Sequence, residues 1–300
     1  MYTVLGATGH IGSVITRKLL EKGEKVRAVG RNTARLQPLV QKGAEAFIGD
    51  VADADAMARA LEGVRAAFLM IPPGANSPDY KADQERASDA ISSAVKASEL
   101  HYAVQLSSIG AQAPSGAGPI SGLHWSEQKL NALERLNIVH LRPAYFLENH
   151  LSGISMIQMM GLFGGALRPD LKMPMIATKD IAGYAAERLL KLDFNGKRTQ
   201  ELLGERDLCM NEIVATIARA LNKPDLRYVQ FPYDQVQQVL VQTGTPLKTA
   251  GYIIEMLQGF NDGIVHGIEP RSAENTTSTS IDNFVKEVFV PAYQGMAVGA

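Results

Sequence analysis

Cysteine is nearly absent: Cys209 is the one thiol in 300 residues. An internal disulfide framework and a multi-cysteine metal cluster are thereby excluded. His101, His140, His150 and His266 show no ligand spacing of the His-Glu-x-x-His kind, so no metal site is expected. An excess of charge is missing as well. Thirty basic and 31 acidic residues leave a formal net charge of −1, which speaks against a nucleic-acid partner gripped by a basic face. Long apolar runs are also lacking. The best, from Gly153 to Leu167, is broken by Ser155, Gln158 and glycines, too short and too interrupted to cross a bilayer. The first strand-like run starts at Tyr2, leaving no room for a signal peptide. The expectation is a soluble, cytoplasmic, globular protein.

What the chain does have is apolar material, 46% of its residues, enough for one large domain or two small ones at about 150 residues each. Its first half alternates between two periods. Tyr2 to Leu5 is a short apolar run; Ile11, Val14, Ile15, Leu19 and Leu20 then recur at helical spacing until Gly23. Strand-like runs follow at 25–29, 44–48, 66–71, 102–106 and 138–141, with helical stripes between them. This order predicts parallel strands joined by right-handed crossovers, each strand apolar on both faces. The fold class read from it is α/β, a doubly wound parallel sheet over residues 1–150. Residues 151–300 are less regular, with helical stripes around 181–190, 213–221 and 281–289 and short strands at 199–203 and 226–230. They read as a smaller α+β cap or substrate domain, with no clean linker before it. Ser280 is the expected start of the last helix. Ala113 to Gly122, rich in Gly, Pro, Ser and Ala, reads as a mobile loop.

Gly6, Thr8, Gly9, His10, Ile11 and Gly12 lie between the first strand and the first helix. A tight strand-to-helix turn needs a residue without Cβ, and a diphosphate needs close approach to main-chain N–H groups at a helix start. The last glycine lets the helix pack on the sheet. The context of strand, glycines and helix points to a dinucleotide. His10 is expected to point out of the turn. An NAD site would carry an acid about 20 residues on, but the second strand ends Val29-Gly30-Arg31. A guanidinium fork suits the extra phosphate of NADP, so NADP(H) is preferred over NAD(H), with Arg35 one turn on to assist. Asp50, followed by Val51, is either an adenine contact or an ordinary turn carboxylate.

These segments, together with Leu106-Ser107-Ser108, the run from Leu141 to Asn149 and the run from Thr178 to Ala182, resemble the NmrA-like family of atypical short-chain dehydrogenases/reductases. The resemblance implies a Rossmann domain, a small C-terminal substrate domain and NADP(H) binding. It places Pro143, Tyr145 and Phe146 along the nicotinamide, and Ile71 and Pro72 under the ribose and diphosphate. Ordinary members of the superfamily use a Tyr and a Lys four residues apart, the Tyr as proton donor. No such pair occurs in residues 100–150. One register sets Trp125 and Lys129 at the two positions. A register counted back from Arg142 sets Ile120 and His124 there, and it is the one adopted, leaving Lys129 a solvated residue. Neither Ile120 nor Trp125 supplies an oxygen acid. An electron-poor acceptor such as a quinone needs such an acid least, because hydride chemistry belongs to the cofactor.

Ser107, His124 and Tyr145 are therefore the candidate catalytic groups, His124 doubling as a ribose contact. Met156, Met159, Met160, Leu162 and Phe163 read either as plain core or as a pocket for a flat apolar substrate. The function expected is an NADPH-dependent reductase of a quinone-like or other electron-poor small molecule. The alternative is a non-catalytic redox sensor that regulates a partner protein. A carbonyl or imine reductase using His124 or Tyr145 as the acid is a third.

Overall fold

The computed structural model describes residues 1–296. Strand and helix alternate as the periodicities predict: β1 (Tyr2–Val4), α1 (His10–Glu21), β2 (Val26–Gly30), α2 (Thr33–Val40), β3 (Glu45–Ile48), α3 (Ala54–Leu61), β4 (Ala66–Leu69), α4 (Tyr80–Ala97), β5 (Tyr102–Leu106), α5 (Pro119–Asn131) and β6 (Asn137–Pro143). All pair in parallel, and the spatial order along the sheet is β3, β2, β1, β4, β5, β6. The order reverses between β1 and β4. At such a reversal the loops leaving the two strands diverge and open a crevice at their carboxyl ends.

The seventh strand comes from much later in the chain. After β7 (Tyr145–Phe146), a 3₁₀ segment at Leu147–Gly153, α6 (Ile154–Met160), β8 (Phe163–Gly165), β9 (Met173–Ile176) and α7 (Thr178–Lys191), the chain returns as β10 (Lys197–Leu202). It pairs in parallel with β6, Glu201 opposite Arg142. β11 (Asp207–Leu208), α8 (Met210–Ala220), β12 (Tyr228–Gln230), α9 (Tyr233–Gln242) and α10 (Leu247–Asn261) follow. β7, β9 and β11 form one small sheet, β8 and β12 another. The last helix opens at Ile281–Phe284 and loosens into a π turn at Val285–Phe289. Ser280 caps it as expected, its hydroxyl accepting from the Asn283 N–H at 3.1 Å.

Three local expectations are corrected. β3 is not covered on both faces: Glu45, Ala46 and Ile48 are exposed, because β3 is the edge strand of the sheet. β4 stops at Leu69, so Met70 and Ile71 belong to the crevice loop. The glycine-rich stretch after β5 is loop only to Gly118; Pro119, pre-set for a helix start, begins α5. That loop is held from above by α10. Glu255 accepts from the Gly116 N–H at 3.0 Å. A Cβ on Gly118, whose φ is +52°, would lie 2.2 Å from the Tyr252 carbonyl oxygen. α10 grips the loop after β4 as well, Thr249 Oγ1 donating to the Ser77 carbonyl at 2.6 Å and accepting from the Tyr80 N–H at 3.2 Å. Neither α9 nor α10 is foreseen by the sequence reading.

Candidate active site

The glycine turn after β1 has the shape of an anion cradle. Gly6 takes a φ of +62°, open to glycine at little cost. A Cβ on Gly12 would sit 2.3 Å from the Gly6 carbonyl oxygen, a main-chain atom that cannot step aside. Gly9 precedes α1 with no side-chain cap, and the first turn carries no acid. The N–H groups at His10, Ile11 and Gly12 therefore end the helix dipole with neither a capping side chain nor an acid in their own turn, which suits a diphosphate. Ile11 is buried beneath them, Thr8 is half-buried, and the His10 side chain is exposed. The residues thus fit a dinucleotide on geometry alone.

Beyond β2, Arg31 is exposed and makes no hydrogen bond or ion pair among the described residues. Arg35 leans toward the cradle, Nη2 lying 3.5 Å from the Thr8 carbonyl. Asn32 caps α2 by accepting from the Arg35 N–H. Arg31 thus directly follows β2, and Arg35 lies in the first turn of α2 beside the cradle. Asp50 bends its own turn, Oδ1 accepting from the Ala52 N–H at 3.0 Å, and Val51 is buried behind it. Ile71 and Pro72, half-buried, leave β4 along the other wall of the crevice.

At the ends of β5 and β6 the side chains form a buried ionic group. Arg142 grips Glu127 of α5 with two donors, Nε to Oε1 at 3.0 Å and Nη2 to Oε2 at 2.5 Å. Ser107 Oγ donates to the same Glu127 oxygen, and all three residues are buried. The Ser107 proton is therefore committed inward, leaving only oxygen lone pairs for a ligand. His124, one turn before Glu127, faces the loop after β5. Its Nδ1 donates to the Ala111 carbonyl at 2.9 Å, which leaves Nε2 as an acceptor in the neutral ring. Ile120 is buried. Lys129 is half-exposed and paired with Asp89 of α4, away from the crevice. Trp125 lies on the surface, its Nε1 donating to the Pro114 carbonyl.

Pro143, Tyr145 and Phe146 carry the chain across the carboxyl edge of the sheet. The Tyr145 ring meets Phe260 of α10 edge-to-face at 5.6 Å and His150 at 5.7 Å. Burial pushes the Tyr145 hydroxyl up to about 12, against a smaller opposite pull from Asn149. His150 is buried with Nε2 unpartnered, and burial pushes it down to about 4. Glu148 pins this segment to α7 by accepting from the N–H and hydroxyl of Thr178.

The methionine stripe is neither a closed pocket nor plain core. Met159 and Met160 are exposed at 78% and 63%. Phe163 packs inward against His150 and Tyr228, because α6 is a single short helix with only Ile157 fully inside. A cavity of about 270 Å³ lies instead between the loop after β5, β9, β11 and the segment after α10. Sequence reasoning missed this cavity, Glu127 and His150. For Glu127 a signal existed: it falls at core spacing with Ile120 and Leu130 on the inner face of α5, and a carboxylate in such a stripe calls for a buried cation. Among the described residues, no cluster of three or more His, Cys, Asp or Glu is placed to hold a metal, and no helix is long and apolar enough to cross a membrane.

A model of the NmrA-like family matches residues 2–284. The NAD(P)H azoreductase of Xenophilus azovorans is 26% identical over 85% of this chain and 86% of its own length. Quinone oxidoreductase 2 of Escherichia coli is 25% identical, over 88% and 89%. Among solved structures, an NADPH-dependent quinone oxidoreductase from E. coli, complexed with NADPH, superposes with a TM-score of 0.82 at 22% identity. That alignment covers 96% of this chain and all of the other.

Proposed function

Since the chain belongs to the NmrA-like family, we propose that it is an NADPH-dependent reductase of a quinone-like or other electron-poor small molecule. The observation that carries this reading is the cradle, where no Cβ fits at Gly12 and α1 opens uncapped. The named activities of the azoreductase and quinone oxidoreductase relatives support the same class. Residues 1–150, completed by β10, hold the dinucleotide; the remainder of 151–300 forms the acceptor side.

The division of labour follows from the side chains. Gly6, Gly9 and the first turn of α1 bind the diphosphate through main-chain hydrogens. Arg31 and Arg35 take the extra phosphate of NADP, to which a guanidinium fork is matched. His124, its Nδ1 held by the Ala111 carbonyl, offers Nε2 to a ribose hydroxyl. Pro143, Tyr145 and Phe146 line the nicotinamide, with Ile71 and Pro72 opposite. The bound cofactor supplies a hydride. The chain does not supply a strong acid to go with it. Ser107 points its hydroxyl hydrogen at Glu127, and Tyr145, pushed up to about 12, donates a hydrogen bond more readily than a proton. Acceptors whose reduced form is a stable anion suit such a site, since water can protonate it afterwards.

Calorimetric titration with NADPH and NADH, followed by a screen of quinones, azo compounds and enones, tests the reading. The expected result is NADPH oxidation by at least one class, with Arg31→Ala weakening NADPH about tenfold and NADH little. Tight NADPH binding with no turnover on any acceptor refutes the reductase; equal weakening of both cofactors refutes the role given to Arg31.

A further inference from the structure

We propose that the 270 Å³ cavity beside Phe260 seats the body of the acceptor, and that it selects uncharged or cationic aromatic acceptors that carry a ring O–H or N–H donor beside the reducible group over anionic ones. This rests on the reductase reading and adds the substrate's charge class. The cavity adjoins the residues given to the nicotinamide. Ile109, on its wall, donates its N–H to the Pro143 carbonyl at 3.0 Å. Phe260 lines it and also meets the Tyr145 ring. Met173 and Val265 add apolar wall. A volume near the low end of small-molecule sites fits a fused two-ring body.

The charge preference comes from which polar groups on the wall are already engaged. Lys172 is paired with Glu212 at 2.5 Å. Arg271 is paired with Asp207 and also donates to the Leu203 and Gly204 carbonyls. Each of these two cations already has a carboxylate partner, Glu212 being shared with Arg206. The remaining groups are acceptors. The Glu269 carboxylate makes no hydrogen bond or ion pair among the described residues, while its N–H is anchored on Glu201. His266 donates Nδ1 to the Gly263 carbonyl at 2.8 Å, which leaves Nε2 as the ring's other polar atom. A hydroxyl or amino group meets the Glu269 carboxylate as an acceptor here; an anion meets it as a like charge.

Dihydroxynaphthalene and hydroxynaphthalenesulfonate, neither of which accepts a hydride, separate binding from turnover. Calorimetry on the full chain, with and without NADPH, is expected to show the diol binding about tenfold tighter than the sulfonate. Glu269→Lys inverts that order. Val265→Trp narrows the cavity and weakens both probes. Should Val265→Trp fail to fold, the surface change at Glu269 still decides. Sulfonate binding as tight as the diol, no diol binding, or an order unmoved by Glu269→Lys overturns the proposal. Loss of the reductase reading appears separately, as absent NADPH heat or turnover, while the naphthalene titrations still report on the cavity.

Discussion

At position 12 one methyl group decides whether the turn can close. The Gly6 carbonyl stands where a Cβ would go, so Gly12→Ala must move either the turn or α1. Its expected outcome is at least a tenfold loss of NADPH affinity, about 1.4 kcal/mol, with a stability cost of about 1–3 kcal/mol for the overpacking. Calorimetry and urea unfolding read the two separately; unchanged affinity would show that the turn is not the cradle. The tight turn at Gly6, Gly9 and Gly12 was legible in the sequence, because it is set by local backbone geometry. Glu127 and His150 were not. Their roles come from partners that only the fold supplies: Arg142 from β6 for the first, the rings of Tyr145 and Phe163 for the second.

Among the elements, α5 is fastened to the sheet by a charge it has buried. Arg142 and Glu127 are both nearly sealed from water, so each is costly without the other. Glu127→Ala is expected to cost about 3–5 kcal/mol, and the double change Glu127→Leu with Arg142→Met to recover much of it. Urea midpoints for the single and double variants check this; additive losses would mean that the pair is not coupled. Element type was readable wherever an apolar stripe repeats, as in α1, α4, α7 and α8. It failed where packing rather than pattern sets the structure. α9 buries no residue of its own, and the loop before α5 takes its order from α10 above it. α6 turns Met159 and Met160 outward in spite of an apolar sequence.

Over the whole molecule, two histidines are folded away in neutral form. Burial pushes both His140 and His150 from about 6.5 down to about 4. Between those values the unfolded chain binds protons that the folded one refuses. Stability is therefore full above pH 6.5 and falls as pH drops toward 4, with a slope of about 1.4 kcal/mol per pH unit for each histidine. Urea midpoints measured from pH 7 to pH 4 should trace that decline, and His150→Phe should flatten it by about half; a midpoint indifferent to pH would show that the rings are not held neutral. The alternating βα order made the sheet itself legible, but not its last strand, since nothing in residues 197–202 says that they lie beside β6. That strand also sets a timetable for biogenesis. A ribosome must release residues up to Leu202 before β6 gains its outer neighbour, and up to Glu269 before Glu201 can clasp the amides of Ile268 and Glu269. A nascent or truncated chain ending sooner carries a naked, adhesive border, so the amino-terminal half matures only when its carboxyl-terminal half returns to seal it.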